Sequence, residues 1–72
     1  MEVFRKEHKG TTYRIYNDGT MYCPIYCIEY LVTYDYDGDK FECWKPAYEP
    51  KNILFTSLEN AKNVLNALLN NI

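Results

Sequence analysis

Only one histidine, His8, and one serine, Ser57, are present to support acid–base or nucleophilic chemistry. A nucleophilic serine needs a histidine that removes its proton and a carboxylate that orients the histidine. His8 lies beside a predicted turn with Glu7 as its only neighbour able to orient it, and Ser57 lies in the first turn of a predicted helix. The two residues would have to meet across the fold, and the isolated glycines form no phosphate-binding loop. We therefore expect no enzymatic activity.

The cysteines Cys23, Cys27 and Cys43 are the candidate metal ligands and disulfide partners. An odd number does not suit the closed disulfide framework of a secreted domain. Cys23 and Cys27 would lie about 13 Å apart on an extended strand, which is beyond disulfide reach. Their spacing on a strand also lacks the tight turn of a zinc site. We expect reduced thiols, no metal site and no cofactor.

Four carboxylates surround one predicted hairpin tip, and they are Asp35, Asp37, Asp39 and Glu42. Their spacing imitates the first ligands of a calcium loop, but Gly38 is misplaced and the terminal bidentate glutamate is missing. Two interpretations remain open. The aspartates either form a solvated turn in which Lys40 pairs with Asp35, or they form an acidic knob that docks on a basic partner.

Trp44 is the predicted centre of a partner-binding site. The hairpin register places it beside Leu31, on the strand face that points away from the main core. A large rigid ring surrounded by polar groups is typical of a binding hot spot. The alternative is that the ring folds under the loop 46–50 and completes a second small core. The predicted partner-binding residues are Trp44, Leu31, Glu29, Glu42, Asp35, Asp37 and Asp39.

Length and composition predict one domain covering residues 1–72. An apolar fraction of 47% with 17% aromatic residues is too high for a disordered chain.

The formal charge of −2 makes nucleic acid an unfavourable partner. No uncharged run reaches the ~18–20 residues that span a bilayer, so we expect a cytoplasmic protein without a membrane partner. The basic residues that keep single-stranded nucleic acid open as an alternative ligand are Arg5, Lys6, Lys9 and Arg14.

A stripe of tyrosines indicates the main strand of the fold, and its members are Tyr22, Tyr26, Tyr30 and Tyr34, with Ile28 and Val32 between them. A proline, a β-branched pair and flanking Asp-Gly turns favour a strand over a helix. An extended chain carries the stripe on one face, which we expect to be the core. Residues 20–36 would span about 50 Å as one straight strand, so we expect a break at Pro24.

Three glycine-containing turns predict the hairpins. Lys9-Gly10 joins strands 2–8 and 11–16, and either Phe4 or Val3 then faces Ile15, depending on whether the loop has two or three residues.

The next two hairpins contain Asp-Gly pairs. Asp18-Gly19 as a two-residue loop would place Ile15 opposite Tyr22. The strand register that the Asp37-Gly38 turn sets gives the clearest division between a core-facing side and a solvent-facing side. The cross-strand pairs that it predicts are Tyr34 with Phe41, Thr33 with Glu42, Val32 with Cys43 and Leu31 with Trp44.

The last segment predicts an amphipathic helix at about 57–70, which begins with a capping box formed by Thr56 and Glu59. We expect its apolar face to cover the tyrosine stripe, and 52–55 to form a short final strand or an extended lead-in. The predicted fold is α+β, an antiparallel meander of about four to five strands over residues 2–55 with one C-terminal helix packed on one face. The apolar face comprises Leu58, Ala61, Leu65, Leu68 and Ile72.

A tyrosine-rich meander with Asp-Gly turns, followed by the run Thr56–Lys62 and one helix, resembles small phage or mobile-element proteins, including some anti-CRISPR inhibitors. The resemblance implies a non-enzymatic inhibitor that binds a nuclease or its guide complex in the host cytoplasm and blocks nucleic-acid entry or a conformational step. The predicted function is therefore a protein-binding module. The alternatives are a single-stranded nucleic-acid binder and a homodimer formed through the sheet face that the helix leaves open.

Overall fold

The computed structural model describes residues 1–47 and 55–71. Four strands form one antiparallel sheet in the order of the sequence, and one helix packs on a face of it, so the α+β prediction is confirmed. The predicted strand over residues 52–54 lies outside the described residues. The elements are β1 (Glu2–His8), β2 (Thr11–Asn17), β3 (Tyr26–Tyr36), β4 (Asp39–Pro46) and α1 (Leu58–Asn70).

The β1–β2 hairpin has the shorter of the two loops considered from the sequence. Lys9 and Gly10 both have positive φ angles, 50° and 82°, which is the geometry of a two-residue turn. Phe4 therefore lies opposite Ile15, and Arg5 lies opposite Arg14. The register shifts between Glu2 and Phe4, so the edge of the sheet carries a bulge near its start.

The prediction that Ile15 faces Tyr22 is wrong, because β2 and β3 are joined by residues 18–25 and not by a two-residue turn. Ile15 lies opposite Ile28. The side-chain oxygen of Asn17 accepts hydrogen bonds from the amides of Gly19 and Ile25, at 2.9 Å and 3.1 Å. The Asn17 side chain thus stabilises an eight-residue loop, whereas the Asp18-Gly19 pair had predicted a loop of two residues.

The loop 18–25 depends on a close backbone approach at Gly19. A Cβ atom at this position would overlap the carbonyl oxygen of Cys23, so only glycine fits there. The predicted break at Pro24 is confirmed, because β3 begins two residues after it. The predicted place of Tyr22 in the core is wrong, since its side chain is 91% exposed on the loop.

The β3–β4 hairpin has the predicted register, with Leu31 opposite Trp44 and Tyr34 opposite Phe41. Asp37 and Gly38 have the same φ angles as Lys9 and Gly10, 50° and 82°. Both two-residue hairpins in the described part of the chain therefore use the same kind of turn.

The helix lies on the face of β3 that carries the even-numbered residues, as predicted. The apolar residues of β2 point to the same side, because Ile15 pairs with Ile28. The predicted stripe is covered only in part, however, since Tyr34 is 42% exposed. Thirteen helical residues extend about 20 Å, whereas eleven strand residues extend about 36 Å. The buried core consists of Tyr13, Ile15, Ile28, Ala61, Leu65 and Leu69.

Ser57, and not the predicted Thr56, caps the helix. The Oγ atom of Ser57 accepts a hydrogen bond from the amide of Asn60 at 3.4 Å, and its backbone is extended. Phe55 forms an isolated bridge with Tyr26, in which each amide donates to the other residue's carbonyl oxygen at 2.7 Å and 3.2 Å. This bridge fixes the start of the helix against the start of β3.

Candidate protein-binding surface

The distal half of the β3–β4 hairpin projects beyond the rest of the sheet. The register of β3 with β2 ends at Tyr30, whereas its register with β4 continues to Tyr36. Residues 32–43 therefore form a two-stranded ribbon, which we call the ribbon below. Every residue from Thr33 to Cys43 is exposed. The protein is correspondingly elongated, with principal extents of 42 × 28 × 21 Å.

One face of the ribbon carries three exposed aromatic rings. Tyr34, Tyr36 and Phe41 are 42%, 70% and 54% exposed, and they point to the side on which the helix lies. Tyr34 also contacts Lys45, whose ammonium group lies 5.2 Å from the ring centroid. A hydrogen bond with the Tyr34 hydroxyl raises the pKa of Lys45 above its ordinary value. These three rings form what we call the aromatic face.

The predicted carboxylate cluster lies on the same ribbon, and its members are Asp35, Asp37, Asp39 and Glu42, all exposed. Lys40 lies opposite Asp35 across the two strands, which is the arrangement considered for a solvated turn. Among residues 1–47 and 55–71, no three His, Cys, Asp or Glu side chains are grouped so that they could hold a metal ion. The ribbon therefore combines a local excess of negative charge with exposed aromatic area.

Trp44 lies on the sheet face opposite the helix, where Arg14 covers its ring. The guanidinium carbon of Arg14 is 4.0 Å from the Trp44 centroid and 4.7 Å from that of Tyr16. The Nε atom of Arg14 donates to Glu29 at 2.8 Å, and both side chains are mostly buried, with 18% and 22% exposed. Arg5 approaches the same ring at 5.6 Å.

The structure thus separates the predicted site residues into two groups. One group, in the body of the sheet, consists of Trp44, Leu31 and Glu29. Glu29 forms an ion pair with Arg14, so it does not belong to a free acidic rim. The alternative in which loop 46–50 covers Trp44 falls partly on residues outside the described ranges. The carboxylates that extend the site into solvent are Asp35, Asp37, Asp39 and Glu42.

Sequence reasoning did not identify the aromatic face or the role of Arg14. A signal for the aromatic face was present, because the predicted strand segment 20–36 is much longer than the preceding strand, 11–16, and must extend past it. No local signal marks Arg14, since its contacts with Glu29 and Trp44 join residues far apart in the chain.

His8 and Ser57 do not form a catalytic pair. The Oγ atom of Ser57 caps the helix, as described above. The Nε2 atom of His8 is buried and has no hydrogen-bond partner within the described residues. A serine nucleophile needs a hydrogen bond to its base, and this geometry lacks it.

Comparison with protein-family models finds no match, and comparisons with curated proteins and with solved structures find none either. Across residues 1–47 and 55–71, no helix is both long enough and apolar enough to cross a membrane.

Proposed function

We propose that this chain is a non-enzymatic protein-binding module that docks its ribbon into a groove with a basic rim on a partner protein. The observation that carries this proposal is the projection of a two-stranded hairpin whose residues from Thr33 to Cys43 are all exposed. Contiguous aromatic area on a small protein is typical of an interaction site.

The charge of the ribbon defines the chemistry of the partner. Four carboxylates and one lysine lie between Asp35 and Glu42, so this part of the surface has a local charge excess of three negative units. Exposed carboxylates attract a basic surface over distances near the Debye length and raise the association rate. The rim of the partner groove is accordingly rich in lysine or arginine.

The aromatic face supplies the contact that holds the complex. Tyrosine and phenylalanine rings bury a large apolar area with few rotatable bonds, so little entropy is lost when they are fixed. The ribbon is also preorganised, because the Asp37-Gly38 turn and the cross-strand pairs already set its shape. Association therefore needs no folding step.

The partner class that suits this ribbon best is a nuclease or a nucleoprotein complex in a host cytoplasm. Such proteins bind phosphate backbones in grooves lined by basic side chains, and a ribbon two strands wide, with strands about 4.8 Å apart, is narrow enough to enter one. Binding there would exclude nucleic acid by competition. This is the inhibitor function that the resemblance to anti-CRISPR proteins implies.

The two arginines that could bind single-stranded nucleic acid already form ion pairs within the chain. Arg14 pairs with Glu29, and Arg5 donates to Glu2 at 2.7 Å. The hydrogen bond from Arg5 also lowers the pKa of Glu2 below its ordinary value. Both pairs reduce the positive field that a phosphate backbone would meet and support a protein partner instead.

Capture from a host lysate with matched variants tests the proposal. The ribbon variant is Asp37→Lys with Asp39→Lys, and the control, Glu7→Lys with Asp18→Lys, changes the net charge by the same amount elsewhere. Lysine fits the first turn position, because Lys9 occupies the same position in the other hairpin with the same φ angle.

We expect a protein that the parent and the control capture and the ribbon variant does not. The purified partner should then release a labelled oligonucleotide when the parent chain is added. Equal binding of the parent and the ribbon variant to every captured protein, or binding without any effect on the oligonucleotide, would overturn the proposal.

A further inference from the structure

Among residues 1–47 and 55–71, no strand pairs with the outer edge of β4. The amide of Ala47 donates to the carbonyl oxygen of Ile28 at 2.9 Å, and bonded and non-bonded pairs alternate along an antiparallel ladder. The bonded pairs of this hairpin are therefore the ones that include Asp39, Phe41, Cys43 and Lys45. The amides and carbonyls that point away from β3 are those of Lys40, Glu42 and Trp44.

From this edge we infer that two copies of the chain pair through β4, antiparallel, around a two-fold axis at Phe41. The two sheets join into one sheet of eight strands with both helices on the same side. This inference does not rest on the proposed function. It uses the outer edge of the ribbon, so the two copies must separate before a single ribbon can enter a groove two strands wide.

Charge complementarity selects the register. With Phe41 opposite Phe41 of the partner subunit, Lys40 lies opposite Glu42 of the partner subunit, and the two-fold axis repeats the same pair on the other side. These residues are the ones whose backbone groups face outward, so each ion pair coincides with a pair of backbone hydrogen bonds. The two phenylalanine rings meet between them as a non-bonded cross-strand pair, in which side chains approach most closely.

Neighbouring registers are less favourable. Moving the axis to Glu42 places two glutamates directly opposite each other, and moving it to Lys40 does the same with two lysines. Moving it further along β4 brings Pro46, which lacks an amide donor, opposite Lys40. The arrangement centred on Phe41 avoids all three penalties.

The other edge of the sheet, β1, does not offer an equivalent surface. Its outward backbone groups belong to Arg5 and Glu7, and pairing these residues between two copies would place Lys6 directly opposite Lys6 of the partner subunit. Arg5 is also held by Glu2. A bulge further interrupts β1 between Glu2 and Phe4, and bulges protect edge strands from pairing.

Sedimentation velocity of the parent and two charge variants tests the pairing. The parent should show a mass that rises with concentration from one chain to two. Glu42→Lys places lysine opposite Lys40 of the partner subunit, and Lys40→Glu places two glutamates together, so each variant should raise the dissociation constant roughly tenfold. An equimolar mixture of the two variants restores opposite charges at both positions and should recover the parent's dimer.

The mixture also controls for misfolding, because two damaged chains would not recover association on mixing. Within one chain, Glu42 lies opposite the neutral Thr33, whereas Lys40 lies opposite Asp35. Glu42→Lys is therefore the variant with the smaller internal effect. A parent that stays monomeric throughout, or a mixture that associates no better than its components, would overturn the inference.

Cysteine crosslinking tests the position of the axis. In a chain whose three natural cysteines are replaced by serine, Phe41→Cys should form an intersubunit disulfide under mild oxidation, because non-bonded pairs bring Cα atoms to about 4.5 Å. Tyr34→Cys in the same background is the control, since it lies on β3, away from the axis. Equal crosslinking of both variants, or none for Phe41→Cys, would overturn this register.

Discussion

The guanidinium carbon of Arg14 lies 4.0 Å from the centroid of the Trp44 ring, and this contact joins β2 to β4 across the intervening strand. On that intervening strand, a carboxylate oxygen of Glu29 accepts a hydrogen bond from the Nε atom of Arg14 at 2.8 Å. The sheet face without the helix is therefore organised as a second packed layer of mixed polar and aromatic character. It differs in this respect from the exposed ribbon.

Arg14→Ala should destabilise the fold by about 1–3 kcal/mol, because it removes the cation over the ring and leaves the mostly buried Glu29 without its partner. Urea denaturation measures the loss, and emission from the single tryptophan should shift to longer wavelength as the ring becomes hydrated. Arg5→Ala is the control, since its ion pair is more exposed, and it should cost less. Equal stability of the parent and Arg14→Ala would contradict the packing described for this face.

Leu65→Ala should cost roughly 2–5 kcal/mol, since Leu65 is fully buried between the helix and the sheet. Asn63→Ala, on the exposed side of the same helix, should leave stability nearly unchanged. Denaturant melts of the two variants provide the comparison. A loss below about 0.5 kcal/mol for Leu65→Ala would place this residue at the surface.

Ser57→Ala should cost about 1 kcal/mol, because its Oγ atom is the acceptor for the amide of Asn60. Thr56→Ala changes the exposed neighbouring residue and should have a much smaller effect. Thermal melts of the two single variants distinguish the observed cap from the one predicted by the sequence. The reverse order of stability would favour Thr56 as the cap.

Cys27 should react with an alkylating reagent more slowly than Cys23 and Cys43 in the native protein. Burial, followed by the charges of Asp18 and Glu29, raises the pKa of Cys27 above its ordinary value of 9.0, whereas the other two thiols are exposed. Mass spectrometry of protein quenched during the reaction gives the order.

The same shift in the pKa of Cys27 predicts a pH dependence of stability. The folded state retains the thiol proton to a higher pH than the unfolded state, so the contribution is present below the ordinary thiol pKa of 9.0. It is lost as the pH rises from that value through the pKa in the folded state. Cys27→Ser should flatten this decline, and an unchanged slope in denaturation measured against pH would count against the effect.

The two parts of the proposed binding site should affect different rate constants once a partner is purified. Asp37→Lys with Asp39→Lys should mainly slow association, and this effect should shrink at high salt. Phe41→Ser and Tyr36→Ser remove exposed rings and should mainly speed dissociation. Surface plasmon resonance separates the two rate constants.

The prediction for Trp44 is tested in the same experiment. Trp44→Ala is expected to weaken binding by ~2 kcal/mol or more. A folded Trp44→Ala protein that binds as tightly as the parent would confine the binding site to the ribbon. Binding that is insensitive to the ring and charge variants of the ribbon would place the site elsewhere.

The sequence by itself determined the features that depend on local hydrogen-bond geometry and side-chain periodicity. The Asp37-Gly38 turn sets the register of β3 and β4 because a two-residue loop allows only one alignment of the strands that flank it. The spacing of apolar residues on the helix likewise predicted the burial of Ala61 and Leu65. Leu69, beside the predicted face, is buried as well, whereas Leu68 is half-buried and Ile72 lies outside the described residues. The cap differed by one residue, because Thr56 and Ser57 can both accept the first amides and only the path of the chain from Phe55 selects between them.

Tertiary structure alone decided how far the helix covers β3, how the chain passes from β2 to β3, and what surrounds Trp44. Each of these depends on contacts between residues distant in the sequence, such as Asn17 with Ile25 and Arg14 with Trp44. The ribbon is exposed because β3 is longer than both the helix that covers it and the strand that precedes it. Periodicity assigns a residue to a face of a strand, but only the lengths and positions of the neighbouring elements decide whether that face is covered.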